Sequence, residues 1–574
     1  MQTKTLVSVC LGLVLAAAPD AQQARDGRIP RPPGTAAISG TVTPDDDPSK
    51  PIRGAVVTLN DVDKVYADTT ITDDRGQFSF RQVPPGRYSI AGAKPGYLTV
   101  RYGATRPGRT GVPIAIADGE HRAGLRVLLA RGAVLTGTIR LANGEPAQGA
   151  EVRVQRVITG STGRRYVDVY EDAEDDADDQ GVFRLYGLAE GDYIVHVVPQ
   201  RHFMEGAVLP TRSVDLQWAR AQLRTATAEA AGPPASRPLL SPVPVYYPGV
   251  LERSAASVIK LSRGETRAGV DVTLQIVPSY RVTGTILSPA GALTGVPQVF
   301  LVEGRADGMD RTSSINYTEG TNFMMTGVTP GTYTLMASVR EDKLFAISEV
   351  RVAGQDVHVS LPLQPALRMS GRVVFDGAAK PPALKELALQ LLAAGTGVML
   401  TPTPAVISAD GSFTIDGLVP GPYHFAGIGA RVSPWSIRSA KIGAQDLSVT
   451  PVDLTTALTG EPIVVTFTDR STELSGRLQD SQGRAAADFF IIVFSANERA
   501  WYARSRAVVQ TRPASDGQFT FRGLPPGDYF LAAVTDVERD EWFDPGFLRD
   551  LMPSAIRISV AEGQHTRQDV RIGK

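Results

Sequence analysis

The chain has 574 residues, a formal net charge of −1 and one cysteine. That length is too great for a single hydrophobic core and fits about five domains of ordinary size. A net charge this close to zero provides no global field that would attract nucleic acid or an anionic membrane, and a lone cysteine excludes an internal disulfide framework.

The N-terminus predicts export. Lys4 precedes an apolar stretch from Leu6 to Leu15, and three alanines follow, which is the charge and polarity order of a secretory signal peptide. The stretch is too short to span a membrane as a mature helix. We expect residues 1–21 to be a signal peptide and residues 22–34 to be a disordered leader. Because Cys10 lies inside the signal peptide, the exported chain would have no thiol. No later apolar run is long enough to cross a membrane, so the exported chain would have no membrane span.

One segment recurs five times along the chain. It reads GQFSFRQVPPGRY at 76–88, GVFRLYGLAEGDY at 181–193, TNFMMTGVTPGTY at 321–333, GSFTIDGLVPGPY at 411–423 and GQFTFRGLPPGDY at 517–529. Alternating apolar residues predict a strand, the following Pro or Gly residues predict a turn, and the tyrosine begins a return strand. Repetition at this spacing predicts five copies of one small domain.

Two further landmarks repeat in step with this hairpin. The first landmark is a strand start with a central glycine, which precedes each hairpin; these glycines are Gly40, Gly137, Gly284, Gly371 and Gly476. The second is a Gly-Glu or Gly-Gln pair, which follows each hairpin and precedes a last run of alternating residues. Short alternating strands with almost no helical periodicity predict antiparallel β-sandwiches. We expect an all-β chain of five sandwiches, arranged as elongated beads on a string, over residues 35–131, 132–278, 279–365, 366–468 and 469–574.

The second repeat is longer than the others. Its extra residues fall around 200–245, a length that is unusual for a simple loop. Residues 214–231 could form a helix, and the Pro-rich residues 232–238 would form a stiff linker.

The strand start, the [DN]-x-G-x-F-x-F…P-x-G-x-Y hairpin and the last strand together resemble the carboxypeptidase regulatory-like domain, over nearly the whole exported chain. The resemblance implies a transthyretin-like (prealbumin-like) Greek-key sandwich, related in form to the collagen-adhesin B-type module. In that family the module accompanies enzymes or surface proteins and does not itself catalyse a reaction. None of the five strand starts contains a lysine, so the internal Lys–Asn crosslink of the adhesin type is not expected.

Two groups of residues suggest metal chemistry. His202 and Glu205 have the spacing of a zinc-binding pair, and His358 could supply a third ligand. However, His358 belongs to another repeat, and the chain has no room for a large α/β enzyme domain. The acidic run at 171–179 lacks the closing glutamate of a calcium loop, and its place in the repeat predicts a solvated, elongated turn. We therefore expect no metal, no cofactor and no enzymatic activity.

Aromatic residues recur between the motif tyrosine and the last strand of each repeat. Their rings could stack on sugars, or they could close the end of each sandwich and pack inward, which their recurrence favours. The candidate ligand-binding residues are Tyr102, Tyr246, Tyr247, Trp435, Trp501 and Trp542. The motif tyrosines are instead expected in the cores, with their hydroxyl groups bonded to the backbone; these are Tyr88, Tyr193, Tyr333, Tyr423 and Tyr529.

The sequence thus predicts an exported, non-catalytic binding or spacer protein of the bacterial cell envelope, in the periplasm, on the cell surface or secreted. Polysaccharide is the first expected ligand. The alternative is a structural or protein-interaction scaffold of an envelope complex. A third hypothesis is an accessory module of a hydrolase or peptidase system.

Overall fold

The computed structural model describes residues 34–572 except for 64–66, 160–164, 200–215, 218–219, 221–238, 290, 304–311, 314–316, 395–401, 403, 429–433 and 456–459. The expected signal peptide, nearly all of the leader, most of the insertion in the second repeat and the His202–Glu205 pair therefore lie outside the described residues.

Each of the five repeats, called units 1 to 5 in chain order, folds into its own pair of sheets, so the tandem all-β architecture is confirmed. In unit 1 the sheet β4-β1-β8 packs on the sheet β3-β2-β5-β6, and β7 also pairs with β5. The strands are β1 (Ala36–Pro44), β2 (Val56–Asp61), β3 (Ala67–Ile71), β4 (Gln77–Val83), β5 (Gly86–Ala93), β6 (Val100–Arg101), β7 (Ile114–Ile116) and β8 (His121–Leu129).

Unit 2 repeats this plan and adds one strand that bonds to the junction with unit 3. Its strands are β9 (Ala133–Arg140), β10 (Glu151–Thr159), β11 (Arg165–Asp176), β12 (Val182–Leu188), β13 (Gly191–Val198), β14 (Leu239–Val243), β15 (Val245–Tyr246), β16 (Ile259–Leu261), β17 (Thr266–Arg267) and β18 (Val272–Thr273). A short 3-10 helix covers Arg253–Ala255.

Unit 3 begins on a long strand that runs across the expected boundary at 278/279. Its strands are β19 (Gln275–Leu287), β20 (Gln298–Glu303), β21 (Thr312–Ser313), β22 (Tyr317–Glu319), β23 (Asn322–Val328), β24 (Gly331–Val339), β25 (Leu344–Val352), β26 (Val357–Pro362) and β27 (Gln364–Pro365). The first part of β19 pairs with β14 of unit 2 and the second part with β23 and β26 of unit 3. One strand therefore ties two sandwiches together.

Unit 4 has an additional hairpin, β33–β34, that widens its first sheet to the order β30-β31-β28-β36-β33-β34. Its strands are β28 (Leu367–Asp376), β29 (Ala388–Ala393), β30 (Val406–Ile407), β31 (Ser412–Leu418), β32 (Gly421–Ile428), β33 (Ser436–Ile442), β34 (Gln445–Asp446), β35 (Val452–Leu454) and β36 (Ile463–Thr468). A 3-10 helix covers Leu384–Glu386.

Unit 5 carries short helical segments outside its sandwich: 3-10 turns at Glu498–Ala500, Glu541–Phe543 and Met552–Ser554, and one α-helix, α1 (Pro545–Leu551). Asp544 caps this helix by accepting from the amides of Gly546 and Phe547. The strands are β37 (Glu473–Gln479), β38 (Phe490–Ser495), β39 (Val508–Thr511), β40 (Gln518–Arg522), β41 (Gly527–Val534), β42 (Ile556–Val560), β43 (His565–Arg567) and β44 (Val570–Arg571).

The first strand of each unit has the same two partners. It pairs antiparallel with the first strand of the repeated hairpin and parallel with a strand at or near the end of the unit, as β1 does with β4 and β8. The same pairings recur for β9, β19, β28 and β37. Among the described strands, parallel pairing is thus confined to the first strand of each unit, which makes one such pair in units 1, 3 and 4 and two in units 2 and 5.

Each unit also buries its own apolar cluster, drawn from both of its sheets. Unit 5 has a second cluster on the outer face of its β38 sheet, where α1 and the 3-10 turns cover it. Phe490 through Phe494 are consequently all buried, which explains why this strand is apolar throughout instead of alternating.

The strand-start glycine lies opposite the first motif phenylalanine in every unit, as in the pair Gly40 and Phe78. The last strand passes just as close on the other side. A Cβ atom built on Gly476 would lie 1.9 Å from the Gln568 carbonyl oxygen and 2.7 Å from Phe519 Cζ. Neither neighbour leaves room for a methyl group, so the packing of three strands explains this repeated glycine.

The five motif tyrosines are buried, as the sequence predicts. The Tyr88 hydroxyl donates to the Pro84 carbonyl at 2.8 Å and that of Tyr529 to the Pro525 carbonyl at 2.6 Å. Tyr193 and Tyr333 make the same bond to the carbonyl four residues upstream. In unit 4 the roles reverse, because the Tyr423 hydroxyl accepts from the Val419 amide at 3.3 Å. The tyrosine corner is therefore confirmed in all five units.

Candidate interaction surface between the terminal units

Units 1 and 5 contact each other although they stand at opposite ends of the string. Residues 102–113 of unit 1, which follow β6, meet residues 512–515 and 536–538 of unit 5. We call this contact the seam. Its presence corrects the expected elongated arrangement: the string of units closes on itself, because charged and polar groups on the two terminal units are complementary.

Arg512 is the central residue of the seam. Its Nη1 donates to the carbonyl oxygens of Gly103 and Thr110 in unit 1, both at 2.8 Å, and its Nε donates to the Ala487 carbonyl at 3.0 Å. Its side chain is 0% exposed, and the guanidinium lies 5.0 Å from the centre of the Phe490 ring. Burial lowers the pKa of this guanidinium. Three carbonyl groups and an aromatic face therefore take the place of the water that a buried cation loses.

Ion pairs border this buried arginine. Arg106 and Arg109 of unit 1 bind Asp536 and Glu538 of unit 5, with distances of 2.9 Å from Arg106 Nη2 to Glu538 Oε1 and 3.2 Å from Arg109 Nε to Asp536 Oδ1. The Arg109 side chain is only 6% exposed, so solvent screens its interactions less than those of an ordinary surface pair.

A second group of charges joins the units at Asp63. Its Oδ1 accepts from Arg87 Nη2 within unit 1 and from Arg522 Nη1 of unit 5, both at 2.7 Å. Arg522 also donates to Glu473 of unit 5 at 3.1 Å. In addition, the Ser515 amide donates to the Pro113 carbonyl at 2.9 Å. The seam is thus held at several separate points.

Acid is expected to open the seam. The hydrogen bond from Arg87 and the charge of Arg522 lower the pKa of Asp63. At Asp536 burial opposes ionisation, but the charges of Arg109 and Arg106 outweigh it, so that pKa is also lowered. The Arg87 bond to Asp63 lies within unit 1 and remains in the open chain, so only Arg522 at Asp63 and Arg106 and Arg109 at Asp536 link ionisation to closure. Through these arginines closure is favoured above the ordinary Asp pKa of about 3.9 and weakens as the pH falls through the lower pKa values of the closed chain.

This expectation is measurable by small-angle scattering between pH 7 and pH 3, with circular dichroism on the same samples. The radius of gyration should rise below about pH 4 while the strand signal persists. An unchanged radius until the strand signal disappears would show that these carboxylates do not hold the seam.

The other junctions are also bonded. Arg263 of unit 2 binds Asp45 of unit 1 at 2.7 Å, and Lys343 of unit 3 binds Asp416 of unit 4 at 2.7 Å. Between units 4 and 5, Arg506 Nη2 donates to the Ile437 carbonyl on the β33–β34 hairpin at 2.7 Å. Contacts therefore run from each unit to the next and return from unit 5 to unit 1.

Three of the six aromatic candidates are buried. Tyr246 stacks on His196 with ring centres 4.5 Å apart. Trp435 donates its Nε1 to the Lys380 carbonyl at 3.1 Å, and Trp501 donates to the Ser495 carbonyl at 2.7 Å. Trp435 belongs to the core of unit 4 and Trp501 to the second cluster of unit 5, and all three rings are at most 5% exposed.

The other three candidates are partly buried. Tyr102 packs on the core of unit 1, Tyr247 on that of unit 2, and Trp542 on the second cluster of unit 5. The structure does not bring the six residues together on one surface; only Tyr102 and Trp542 lie on segments that border the seam. Their role in ligand binding stays a prediction.

The remaining candidate residues are separated. His358 Nδ1 lies 3.2 Å from Thr283 Oγ1 within unit 3. The expected turn at 171–179 is wrong up to Asp176, because β11 extends to that residue by pairing with β10. Within the described ranges, no group of three or more His, Cys, Asp or Glu residues could hold a metal ion, and no helix is long and apolar enough to span a membrane.

Sequence reasoning missed the seam residues. A signal was present in the composition of two corresponding segments: the aromatic-Pro-Gly segment of unit 1 is basic (YGATRPGRTG), whereas that of unit 5 is preceded by acidic residues (DVERDEWFDPG). Opposite charges at equivalent positions of the terminal units favour their association. Arg512 had no comparable signal, because its partners are backbone carbonyls.

The fold defines the class of protein, a tandem array of transthyretin-like sandwiches. Residues 37–117 match the family model of the carboxypeptidase regulatory-like domain. The match confirms, for unit 1, the resemblance that the sequence motifs indicate, and units 2 to 5 share its strand pairing. No curated protein matches the chain.

Several solved structures are similar in part. GBS52, the minor pilin of Streptococcus agalactiae, is 12% identical, with 42% of this chain and 97% of that chain covered at a TM-score of 0.21. BcpA, the major pilin subunit of Bacillus cereus, is 8% identical, with 77% and 99% covered at a TM-score of 0.15. The Bacillus anthracis TIE protein is 8% identical, with 74% and 68% covered at a TM-score of 0.14.

Proposed function

We propose that the protein is an exported, non-catalytic scaffold of the cell envelope whose five sandwiches are held in one closed arrangement. The observation that carries this proposal is the buried Arg512, which donates to two carbonyl groups of unit 1. A chain with independent beads would have to be ordered whenever several beads bind one partner. In a closed chain the units have already lost the freedom to move relative to one another, so binding one partner through several units costs less entropy.

The scaffold is favoured over binding of neutral polysaccharide because three of the six aromatic candidates are buried. Stacking on a sugar needs an exposed ring face, whereas Tyr246, Trp435 and Trp501 are at most 5% exposed. It is also favoured over a peptidase accessory role, since His358 bonds to its own unit through Thr283.

Photocrosslinking in the source bacterium tests the scaffold. A photoreactive residue would replace Tyr186, which is 64% exposed, or Val296, which is 74% exposed. We expect a few discrete envelope proteins to be captured, and the same captures to be lost when Arg512→Glu is added to the same chain. Captures that are indifferent to Arg512→Glu, or turnover of peptide or polysaccharide by the purified chain, would contradict the proposal.

A further inference from the structure

A cleft of about 330 Å³ lies at the seam, next to the buried Arg512. Its walls come from both terminal units: Arg101, Gly108, Arg109 and Thr110 from unit 1, and Phe490, Val537, Arg539 and Trp542 from unit 5. This volume is at the lower end of the range of small-ligand sites. Because neither unit supplies both walls, the cleft exists only when the seam is closed.

The charged residues that line the cleft are all arginines. Arg101 and Arg539 are exposed, and Arg109 binds Glu538 and Asp536. Those two carboxylates do not line the cleft. A guanidinium group presents a planar fork of donors that matches a carboxylate, so the cleft favours a ligand that carries carboxylates.

Arg539 also lines an adjoining depression of about 250 Å³, together with Arg504, Asp540 and Phe543. The two depressions share Arg539, so a ligand longer than one sugar can reach both of them. A site of this shape suits successive units of a polymer better than a single small molecule.

The aromatic side chains indicate which polymer is favoured. Trp542 is partly exposed and lines the cleft, whereas Phe490 also lines it but is buried beneath the Arg512 guanidinium. Indole rings accept the flat apolar face of a sugar. Arginine clusters also bind acidic peptides, but the partly exposed indole beside these guanidinium groups offers a flat apolar face that a sugar ring can cover.

We propose that the seam cleft binds an acidic polysaccharide, with uronate carboxylates on Arg101 and Arg539 and one sugar face on Trp542. This inference rests on the closed scaffold proposed above, and it names the ligand class of that scaffold. Recognition is mainly ionic, and of the six aromatic candidates it uses only Trp542.

Calorimetric titration of residues 34–574 with an oligogalacturonate tests the proposal, with a neutral glucan of equal length as the control ligand. We expect binding of the acidic oligomer alone, weakened by salt because charges carry the recognition. The double variant Arg101→Glu/Arg539→Glu should bind at least tenfold more weakly, and Trp542→Ala about tenfold more weakly. Arg484→Glu, a change of the same charge on an exposed side chain of unit 5, should bind like the unaltered chain.

Equal binding of the neutral glucan, or unchanged binding by the double variant, would overturn the proposal. So would equally tight binding of poly-glutamate, which would indicate an acidic peptide as the ligand. A disulfide between Ala115→Cys and Ser515→Cys reports whether the seam is closed, because these residues approach across it. It therefore distinguishes failure of the ligand assignment from failure of the scaffold proposal. If the disulfide forms and oligogalacturonate does not bind, only the ligand assignment fails; if it does not form, both proposals fail.

Discussion

Arg512→Glu is expected to separate units 1 and 5 and to destabilise unit 5. The substitution removes the hydrogen bonds to Gly103, Thr110 and Ala487 and turns a carboxylate toward carbonyl oxygens at a position that is closed to solvent. Disrupting a buried charge and its partners costs about 3–5 kcal/mol. Small-angle scattering should show a larger radius of gyration, and urea unfolding should show a lower first midpoint.

Two controls distinguish the seam from a general loss of stability. Arg484→Glu makes the same charge change at an exposed side chain and should leave both measurements unaltered. Arg109→Glu should open the chain, and Arg109→Glu combined with Glu538→Arg should close it again, since the ion pair would be restored with reversed polarity. If Arg512→Glu lowers stability while the radius of gyration stays the same, Arg512 stabilises unit 5 alone and does not hold the seam.

Gly476→Ala is expected to destabilise unit 5 by about 3 kcal/mol, at the upper end of the usual cost of overpacking. The new methyl group would lie 1.9 Å from the Gln568 carbonyl oxygen, so β37 and the last strand would have to move apart. Urea unfolding of the full chain should show an early transition that accounts for one unit, with the other four unfolding at their original midpoints.

Gly460→Ala is the matched control for this substitution. A Cβ at Gly460 meets nothing within 4 Å, and its only effect should be a slightly less flexible unfolded chain. If Gly476→Ala behaves like Gly460→Ala, the packing of three strands is not the reason for the repeated glycine.

The sandwiches could be predicted from the sequence because their determinants are local. Alternation in Gln77–Val83, a turn ahead of Tyr88 and a glycine at position 40 each act within one unit, and they recur five times. The tyrosine corner was predictable for the same reason, since the hydroxyl of Tyr88 bonds to a carbonyl only four residues away.

The seam could not be predicted because its partners are remote and mostly lack a sequence signature. Arg512 and Thr110 are 402 residues apart, and any residue type supplies a carbonyl oxygen. The burial of Trp501 likewise depends on α1 and the 3-10 turns that cover the outer face of the β38 sheet. In the described parts of the other repeats no such helical cover is present. A ring that is exposed in one sandwich can thus be buried in another by an insertion.

Disulfide trapping across the seam tests the central claim, that five separate sandwiches close through units 1 and 5. Residues 34–574 contain no cysteine, so Ala115→Cys and Ser515→Cys introduce the only two thiols. The Ala115 amide lies 3.5 Å from Ser515 Oγ, so the two residues approach each other across the seam. The account predicts that mild oxidation gives a monomer with an internal disulfide. No internal disulfide should form in the control, in which Ser515→Cys is combined with Thr285→Cys on unit 3. Free thiols or only intermolecular dimers from the seam pair would contradict it.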